Sequence, residues 1–387
     1  MKALFVHSHI FLYDKNNNVY SEGKLTYNVW KRYLKHFEEI TVAGRYKQVT
    51  DVKGLDISSG NRVTHRKLPN INSIKSYNLN NKILSNLIKE VDIVIARLPS
   101  MHSNSAIRIA KKLRKPYIIE LVGDTLSSYW YHGNILGKFL APISYLKVRS
   151  TVKSSNNILY VTNKFLQQRY PSKLSANTVN CSNVELFIDE GVLERRINKI
   201  TNSNREKIVI GLVGSYSSKY KGIDNAIKVV YNLKNQGYSI ELKILGSGNN
   251  NWLLSLISNL DVEENVKFSG SLKAGKDVYK WMDNIDIYIQ PSLTEGLPRA
   301  LIEAMSRGCP SIGSRVGGIP ELLDDEFLHL PKDETTLLKI LLKLINNKEL
   351  MVKQAMANYE NAQQFSVKNL EEKRDAFLKS TIKNETF

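Results

Sequence analysis

Two successive series of short apolar runs, alternating with longer helical segments, constrain the fold of this chain more than any other feature of its sequence. In the first half, strands are predicted at KALFVH (2–7), EITVAGR (39–45), VDIVIARLP (91–99), KPYIIELVG (115–123) and NNILYVT (156–162). Several of these runs are apolar on both faces, which is typical of a parallel sheet covered by helices. The first half is therefore predicted to form an α/β domain.

The alternation of predicted strands and helices is interrupted near residue 200 and then resumes. The segment INKITNSNREK (197–207) is polar and lacks apolar periodicity, so it predicts a linker. Further strands are predicted at IVIGLVGS (208–215), SIELKILGSG (239–248), VKFSGSL (266–272), IDIYIQPS (285–292) and PSIGS (310–314). We therefore expect two doubly wound Rossmann-like domains, residues 1–196 and 197–365, that face a central cleft. Ligands of such sheets bind at the carboxyl ends of the strands.

Charge is distributed unevenly along the chain. Residues 1–200 carry 31 Lys and Arg against 14 Asp and Glu, whereas residues 201–387 carry 24 against 23. Such asymmetry indicates that the first half meets something anionic, unless it is simply a solvated basic surface. Because no compact basic run is interleaved with aromatic residues, a nucleic-acid partner is not expected. The candidate anionic partners of the first half are therefore a membrane surface and a phosphorylated acceptor.

The compartment follows from cysteine content and from apolar runs. The two cysteines offer neither a disulfide framework nor a metal-ligand spacing, which favours a reducing compartment. The first apolar run is too short for a signal peptide, and no run approaches the length of a membrane span. We expect a cytoplasmic protein that is peripheral on the inner face of the plasma membrane.

The stretch EGLPRALIEAMSRG (295–308) contains two glutamates that helix rules do not require. It follows a predicted buried strand, Pro298 suits a first helical turn, and Gly308 suits a left-handed cap. Glu295 is then in the loop at a strand end, and Glu303 lies in the helix among apolar residues. The amides of Gly296 and Leu297 are expected to be free to donate. Together with the two carboxylates, they suit a ligand that carries both hydroxyl and phosphate groups.

A second loop, GLVGSYSSKYKG (211–222), joins a predicted strand to a helix. Its backbone amides and the helix dipole favour a phosphate, with Lys219 or Lys221 adding positive charge. The alternative is a tight turn that carries solvated lysines. The Walker A spacing is absent, so this loop alone is not specific.

The segment PSLTEGLPRALIEAMSRGCPSIGSRVGGIPEL (291–322) closely resembles the donor-site motif of retaining glycosyltransferases of family four, which have the GT-B fold. The match comprises Glu295 and Glu303 in an E-x7-E pair, a following Gly-x-Pro and a Gly-Gly-x-Pro-Glu. The resemblance implies that Glu303 binds the nucleotide ribose, that Glu295 contacts the donor sugar, and that the amides of Gly296 and Leu297 hold sugar and phosphate. It also implies that the C-terminal helix (366–387) packs back on the first domain.

The chain departs from the family at several positions. Ser215 follows Gly214 where the family usually has arginine, so either Lys219 or Lys221 must neutralise more of the diphosphate charge, or a basic residue elsewhere must contribute. The loop with Gly23 looks like the loop that approaches the donor diphosphate. Asp124 falls where many members have a histidine near the reacting centre, and it is our candidate for a catalytic polar group beside Glu295. The alternative for Asp124 is a helix cap or an Asx turn.

No Asp-x-Asp triplet is present, so the sequence predicts neither a metal ion nor another cofactor. The segment 127–154 combines aromatic and basic residues beside a short apolar run, which suits an interfacial helix. A core helix with a basic outer face is the alternative. The Val122-Gly123-Asp124 sequence, where many members have a histidine, resembles the subgroup that builds bacterial surface polysaccharides.

The resemblance implies retaining transfer of a sugar from a UDP-, GDP- or ADP-sugar to a hydroxyl of a glycan or polyprenyl-diphosphate-linked acceptor, in capsule, exopolysaccharide or lipopolysaccharide biosynthesis. It implies that residues 1–196 bind the acceptor and that residues 197–365 bind the donor. One alternative is a nucleotide-sugar epimerase of the same fold. Another is a non-catalytic module that binds a sugar nucleotide and a membrane.

Overall fold

The computed structural model describes residues 1–23, 25–132, 135–202 and 207–385. The chain divides into two compact units, Met1–Cys181 with Glu371–Phe387, and Ser182–Leu370. Each has its own sheet with helices packed on it, as a doubly wound arrangement requires. The predicted pair of α/β domains is therefore confirmed.

The first unit is built around a mainly parallel sheet. Its strands are β1 (Lys2–Tyr13), β2 (Val19–Ser21), β3 (Glu39–Gln48), β4 (Asp56–Ile57), β5 (Val63–Lys67), β6 (Ile93–Leu98), β7 (Tyr117–Leu121), β8 (Asn157–Tyr160) and β9 (Asn177–Asn180). Its helices are α1 (Tyr27–Leu34), α2 (Ile74–Lys89), α3 (Met101–Lys112), α4 (Thr125–His132), α5 (Ile135–Lys153) and α6 (Phe165–Arg169).

Strand β1 lies in the middle of this sheet. It pairs in parallel with β3 and β6, and the sheet continues from β3 to β5 and from β6 through β7 and β8 to β9. Strands β2 and β4 form an antiparallel extension at the end of β1. Every residue of β6 is buried, as its nearly continuous apolar sequence predicts for a strand covered on both faces. The exception to the apolar run, Arg97, is paired with Glu120 at 2.7 Å.

The second unit has a sheet in which all neighbouring strands are parallel. Its strands are β10 (Ile208–Val213), β11 (Ile240–Leu245), β12 (Val266–Gly270), β13 (Ile287–Gln290), β14 (Ser311–Ser314) and β15 (Leu328–His329), in the order β12-β11-β10-β13-β14-β15. Its helices are α7 (Val192–Thr201), α8 (Ile223–Asn235), α9 (Asn251–Asn259), α10 (Lys276–Asp283), α11 (Arg299–Ser306), α12 (Glu334–Ile345) and α13 (Lys348–Ala362). The strand order reverses at β10 and β13, where such sheets bind ligands.

The linker predicted at 197–207 is wrong over its first part, because helix α7 continues through Thr201 (residues 203–206 lie outside the described part). Val192, Arg196 and Ile200 form a buried stripe at helical spacing. The Arg196 guanidinium, 3% exposed, donates to the carbonyls of Ile285, Met282 and Arg307. A buried arginine among apolar neighbours hides this periodicity from the sequence. Since α7 packs in the second unit, the boundary lies at residue 181, before the predicted 196.

The C-terminal helix α14 (Val367–Glu385) contacts the first unit along most of its length. His36 pairs with Asp375 at 2.8 Å, and Lys35 with Glu371 at 3.0 Å. Further along, the Asn177 amide donates to the Ser380 hydroxyl. None of the described helices combines the length and the apolar character that crossing a bilayer requires.

Candidate functional site

A cavity of about 390 Å³ lies at the carboxyl ends of β10, β11 and β13 in the second unit. Its walls come from the loops after these strands and from the first turns of α11. Its lining includes the predicted residues Ser215, Lys221, Glu295, Leu297 and Glu303. Parallel strands end at one edge of a sheet, so side chains that are far apart in sequence meet there.

Glu295 is held by a converging set of hydrogen-bond donors. Its Oε1 accepts from Lys221 Nζ at 2.7 Å, from Ser292 Oγ at 2.7 Å and from Gln290 Nε2 at 3.0 Å. The Gln290 side chain is in turn oriented by Tyr288, whose hydroxyl donates to Gln290 Oε1 at 2.6 Å. The three donors share Oε1, and no hydrogen bond to Oε2 is found among the described residues.

The Gly-Gly-x-Pro-Glu segment supports the loop that carries Glu295. Gly317 has a φ of +56°, and a Cβ added there would lie 2.0 Å from the Glu295 carbonyl oxygen. The Gly318 amide donates to the Gly296 carbonyl at 2.7 Å. Only glycine permits this approach, which explains why the segment accompanies the glutamate pair.

Glu303 is the second carboxylate of the cavity, and it is nearly buried. Its side chain is 13% exposed, and the nearest cation is Arg299, whose Nε lies 3.8 Å from Oε1. Burial raises the pKa of Glu303 to about 7, although Arg299 acts in the opposite direction. Near neutral pH this group therefore exchanges between the acid and the carboxylate, and hydroxyl donors from a ligand would favour the carboxylate.

Lys221 and Arg299 are the cationic side chains in the lining of this cavity. The Lys221 stem packs over Gly214, where a Cβ would come within 3.0 Å of it. Ser215 donates to the Ser247 carbonyl at 3.1 Å and so ties two strand-end loops together. Lys219 is not part of the lining, because its Nζ lies over the Trp252 ring at 5.5 Å.

The backbone before α11 provides further donors. Within the described residues, the amides of Gly296 and Leu297 donate to no protein acceptor, as the sequence suggests. Pro298 occupies the position just before the first residue of α11 and makes no side-chain hydrogen bond to the helix. The loop amides and the helix N-terminus together favour a negative charge in the cavity.

Two predicted site residues belong to the first unit. The Asp124 carboxylate, 3% exposed, accepts from Ser127, from Tyr170 at 2.6 Å and from Arg169 at 2.7 Å. Burial opposes its ionisation, but the hydrogen bonds outweigh burial and lower the pKa of Asp124. This geometry favours the capping alternative, in which Asp124 positions the start of α4. Gly23 has a φ of +64°, which side chains rarely adopt.

Sequence reasoning missed Gln290, Ser292 and Arg299. The first two are polar residues at the end of a buried strand, which is a detectable signal of inward-facing hydrogen bonding. Arg299 precedes Glu303 by one helical turn, a spacing that brings two side chains together. Neither signal shows which ligand atoms these groups would meet.

Comparisons with known proteins agree with this arrangement. The family model for glycosyl transferases group 1 matches residues 194–364. Protein CapJ of Staphylococcus aureus is 35% identical over 386 residues, which cover 98% of this chain and 95% of that protein. The amylovoran biosynthesis glycosyltransferase AmsK of Erwinia amylovora is 37% identical over 32% of this chain and 33% of its own length. The crystal structure of Anabaena HepE with UDP and glucose matches 98% of this chain and 99% of its own with a TM-score of 0.67 at 16% identity, a likeness of fold.

Proposed function

Because the chain belongs to the group 1 glycosyl transferases and has the GT-B fold, we propose that its second unit binds a nucleotide diphosphate-sugar. The sugar of this donor is transferred, with retention, to a glycan acceptor of bacterial surface polysaccharide. The observation that carries the proposal is the convergence of Glu295, Glu303, Lys221 and Arg299 on one cavity at the strand ends. Carboxylates for hydroxyl groups beside cations for phosphate fit the mixed chemistry of such a donor.

Each group has a distinct part in this proposal. Glu303 accepts hydrogen bonds from the ribose hydroxyls, and Glu295 accepts from the donor sugar through Oε2. The amides of Gly296 and Leu297 donate to sugar and phosphate oxygens. Lys221 and Arg299 take the charge that builds on the leaving diphosphate. Arg299 thereby supplies the positive charge for the diphosphate that Ser215, which stands where the family usually has arginine, lacks.

In the proposed reaction, the acceptor hydroxyl oxygen bonds to the anomeric carbon while the bond from that carbon to the diphosphate breaks. The hydroxyl proton passes to the leaving diphosphate, on the same face of the sugar. Glu295 positions the donor and forms no covalent bond to it. We further propose that protein cations suffice for the diphosphate and that the reaction requires no metal ion.

A calorimetric screen of UDP, GDP and ADP tests the donor site first, with UDP the first choice because the HepE structure contains UDP. Turnover is then followed with each matching nucleotide sugar and a polyprenyl-linked saccharide extract, with and without EDTA, and product anomers are assigned by NMR. Inverted product contradicts retention, and an isomerised nucleotide sugar formed without acceptor indicates an epimerase. Unchanged turnover in both Glu295→Ala and Glu303→Ala would refute the site.

We also propose that α5 docks on an anionic membrane at the cytoplasmic face, which would bring a lipid-linked acceptor to the enzyme. Phe139, Ile143 and Leu146 are 76%, 64% and 60% exposed, and they recur at i, i+4 and i+7 on one face of α5. Ala141 and Val148 of α5 are buried. Part of the predicted interfacial segment, residues 133–134, lies outside the described residues.

Basic side chains accompany this apolar stripe. They are the exposed Lys138, Lys147, Arg149 and Lys153 of the same helix. Lys138 also lies 5.8 Å from the centre of the Trp130 ring, which is half exposed on α4. An apolar stripe edged by cations is the arrangement that suits an anionic lipid surface.

Co-sedimentation with phosphatidylglycerol vesicles and with phosphatidylcholine vesicles tests this docking. Wild type is expected to bind the anionic vesicles, and Ile143→Asp to bind them at least about tenfold more weakly, because it removes an apolar contact and adds a like charge to the lipid. Leu174→Asp changes an exposed leucine that is not part of α5 and serves as the matched control. Absent binding at low salt, or equal loss in the two variants, would refute docking through α5.

A further inference from the structure

A chain of buried polar side chains leads from strand β13 to Glu295, and the proposed function uses only its last member. Tyr288 and Gln290 belong to β13, where positions two apart share a face, and Ser292 follows the strand. Their exposed fractions are 0%, 1% and 0%. Gln290 lines the donor cavity, whereas Tyr288 is not part of the lining. Tyr288 can therefore act on a bound donor only through other side chains.

The hydrogen bonds of this chain have one consistent direction. A carboxylate only accepts, so the Ser292 hydroxyl donates its single hydrogen to Glu295 Oε1 at 2.7 Å. Ser292 Oγ then accepts from Gln290 Nε2 at 2.8 Å, and the second amide hydrogen goes to Glu295 Oε1 at 3.0 Å. Gln290 Oε1 accepts from the Tyr288 hydroxyl at 2.6 Å. A reversed amide would bring its oxygen against two acceptors, so the Glu295 end fixes the orientation of Gln290.

Tyr288 keeps its donor hydrogen near neutral pH. Burial, and after it the negative charge of Glu295, raises the pKa of the Tyr288 hydroxyl well above its usual range. Without this hydroxyl, Gln290 Oε1 would lose its partner in a buried place, and the amide would gain by turning towards the cavity, where solvent can donate. Tyr288 thus holds Gln290 on Glu295.

Lys221 is the third donor to the same carboxylate oxygen, at 2.7 Å. The proposed function also assigns this ammonium to the leaving diphosphate, which carries more negative charge than one carboxylate. A lysine drawn towards the phosphate weakens its hydrogen bond to Glu295. Gln290 and Ser292 are uncharged, so the diphosphate does not draw them away, and they remain on the carboxylate.

We infer that Tyr288 and Gln290 are positioning residues for the transfer step. They hold the Glu295 carboxylate in place against the donor sugar while Lys221 engages the diphosphate. The inference rests on the proposed function for the role of Glu295. Because Glu303 and the loop amides bind the nucleotide without help from Gln290, loss of this chain should lower kcat and leave the affinity for the nucleotide unchanged.

Steady-state kinetics with the nucleotide sugar that turns over best, together with UDP calorimetry, tests this inference. Gln290→Leu is expected to lower kcat about a hundredfold, because a displaced carboxylate misaligns the donor, and Tyr288→Phe about tenfold. The Kd for UDP should change by less than about twofold in both variants. Gln354→Leu is the matched control, since Gln354 is also buried and bonded at both ends, to the backbone of Ser311. It should lower the melting temperature and leave kcat within about twofold of wild type.

Gln290→Glu supplies a readout that a merely structural glutamine would not move. The variant keeps the shape of the side chain, but its carboxylate cannot donate to Glu295, whereas its acid form donates once. Burial beside Glu295 raises the pKa of the introduced carboxyl. The ratio of its kcat to that of wild type should therefore rise at least about threefold from pH 8 to pH 6. The charged and titrating groups around it, Tyr288, Lys221, Glu295 and Glu303, are shared with wild type, so the ratio removes their own titration.

The outcomes separate this inference from the proposed function. The positioning role is overturned by a kcat within about twofold of wild type in Gln290→Leu or Tyr288→Phe, by a parallel loss of UDP affinity, or by a Gln290→Glu ratio that does not change with pH. That ratio follows one folded variant across pH, so a loss of folded protein cannot imitate the expected rise. Turnover that survives Glu295→Ala overturns the proposed function, whereas turnover that needs Glu295 but not Gln290 overturns this inference alone.

Discussion

Binding of the nucleotide sugar should release a proton from Glu303. Burial raises the pKa of this side chain to about 7, so most molecules carry the acid form at pH 6. Ribose hydroxyls that donate to the carboxylate favour its ionised form and lower the pKa on binding. The direction follows from linkage, since a ligand that prefers the ionised group expels the proton and binds more tightly as the pH rises.

The magnitude follows from the two protonation states. If the bound pKa returns to about 4.5, binding releases about 0.9 proton at pH 6, about 0.5 at pH 7 and about 0.1 at pH 8. The apparent Kd should then rise about tenfold from pH 8 to pH 6. In the unliganded protein the same raised pKa disfavours folding above the unfolded value and costs about 3 kcal/mol above pH 7.

Titration calorimetry in buffers of different ionisation enthalpy measures the released proton directly. UDP-glucose, or the nucleotide sugar that binds best, replaces UDP because a terminal phosphate titrates at about pH 6. Glu303→Gln keeps the shape of the side chain and should abolish the release. Equal proton release in wild type and in this variant, or none in wild type at pH 6, would refute the assignment of Glu303 to the ribose.

Three other expectations concern the support around the site. Gly317→Ala should weaken donor binding at least about tenfold, because the added Cβ meets the Glu295 carbonyl. Gly237 also has a positive φ but lies in open space, so Gly237→Ala should not weaken donor binding, and equal effects of the two variants would contradict the close approach at Gly317. Arg299→Met should weaken UDP binding about tenfold and reduce the salt dependence of that binding, and Arg299→Lys should have an intermediate effect. Arg315→Met, at an exposed arginine, should bind UDP as wild type does, and an unaltered salt dependence in Arg299→Met would argue against a phosphate contact. In denaturant unfolding at pH 7, Asp124→Asn should lower the free energy of unfolding of the first unit by about 2 kcal/mol. This difference should vanish as the pH falls through the lowered pKa of Asp124. Lost UDP binding with unchanged stability would contradict a positioning role for Asp124.

Much of the donor site could be predicted because it is local in sequence. Glu295, the amides after it and Glu303 lie on one loop and one helix, so their spacing alone places them together. The alternation of apolar runs likewise predicts both parallel sheets, since buried strands and amphipathic helices leave different periodicities. Helix α7 was not predicted because Arg196 occupies a buried position that the pattern assigns to an apolar residue.

Only the tertiary structure decides the properties that depend on burial and on distant partners. Lys221 reaches Glu295 across 74 residues of sequence, and the pKa of Glu303 is raised by the surrounding core rather than by its neighbours in the chain. The hydrogen bonds from Tyr288 through Gln290 to Glu295 are likewise visible only once β13 and the loop after it are packed. Spacing along the chain determined which residue types could share a site, whereas desolvation and long-range hydrogen bonding, which have no signature in a single sequence, decided their charge and their readiness to bind.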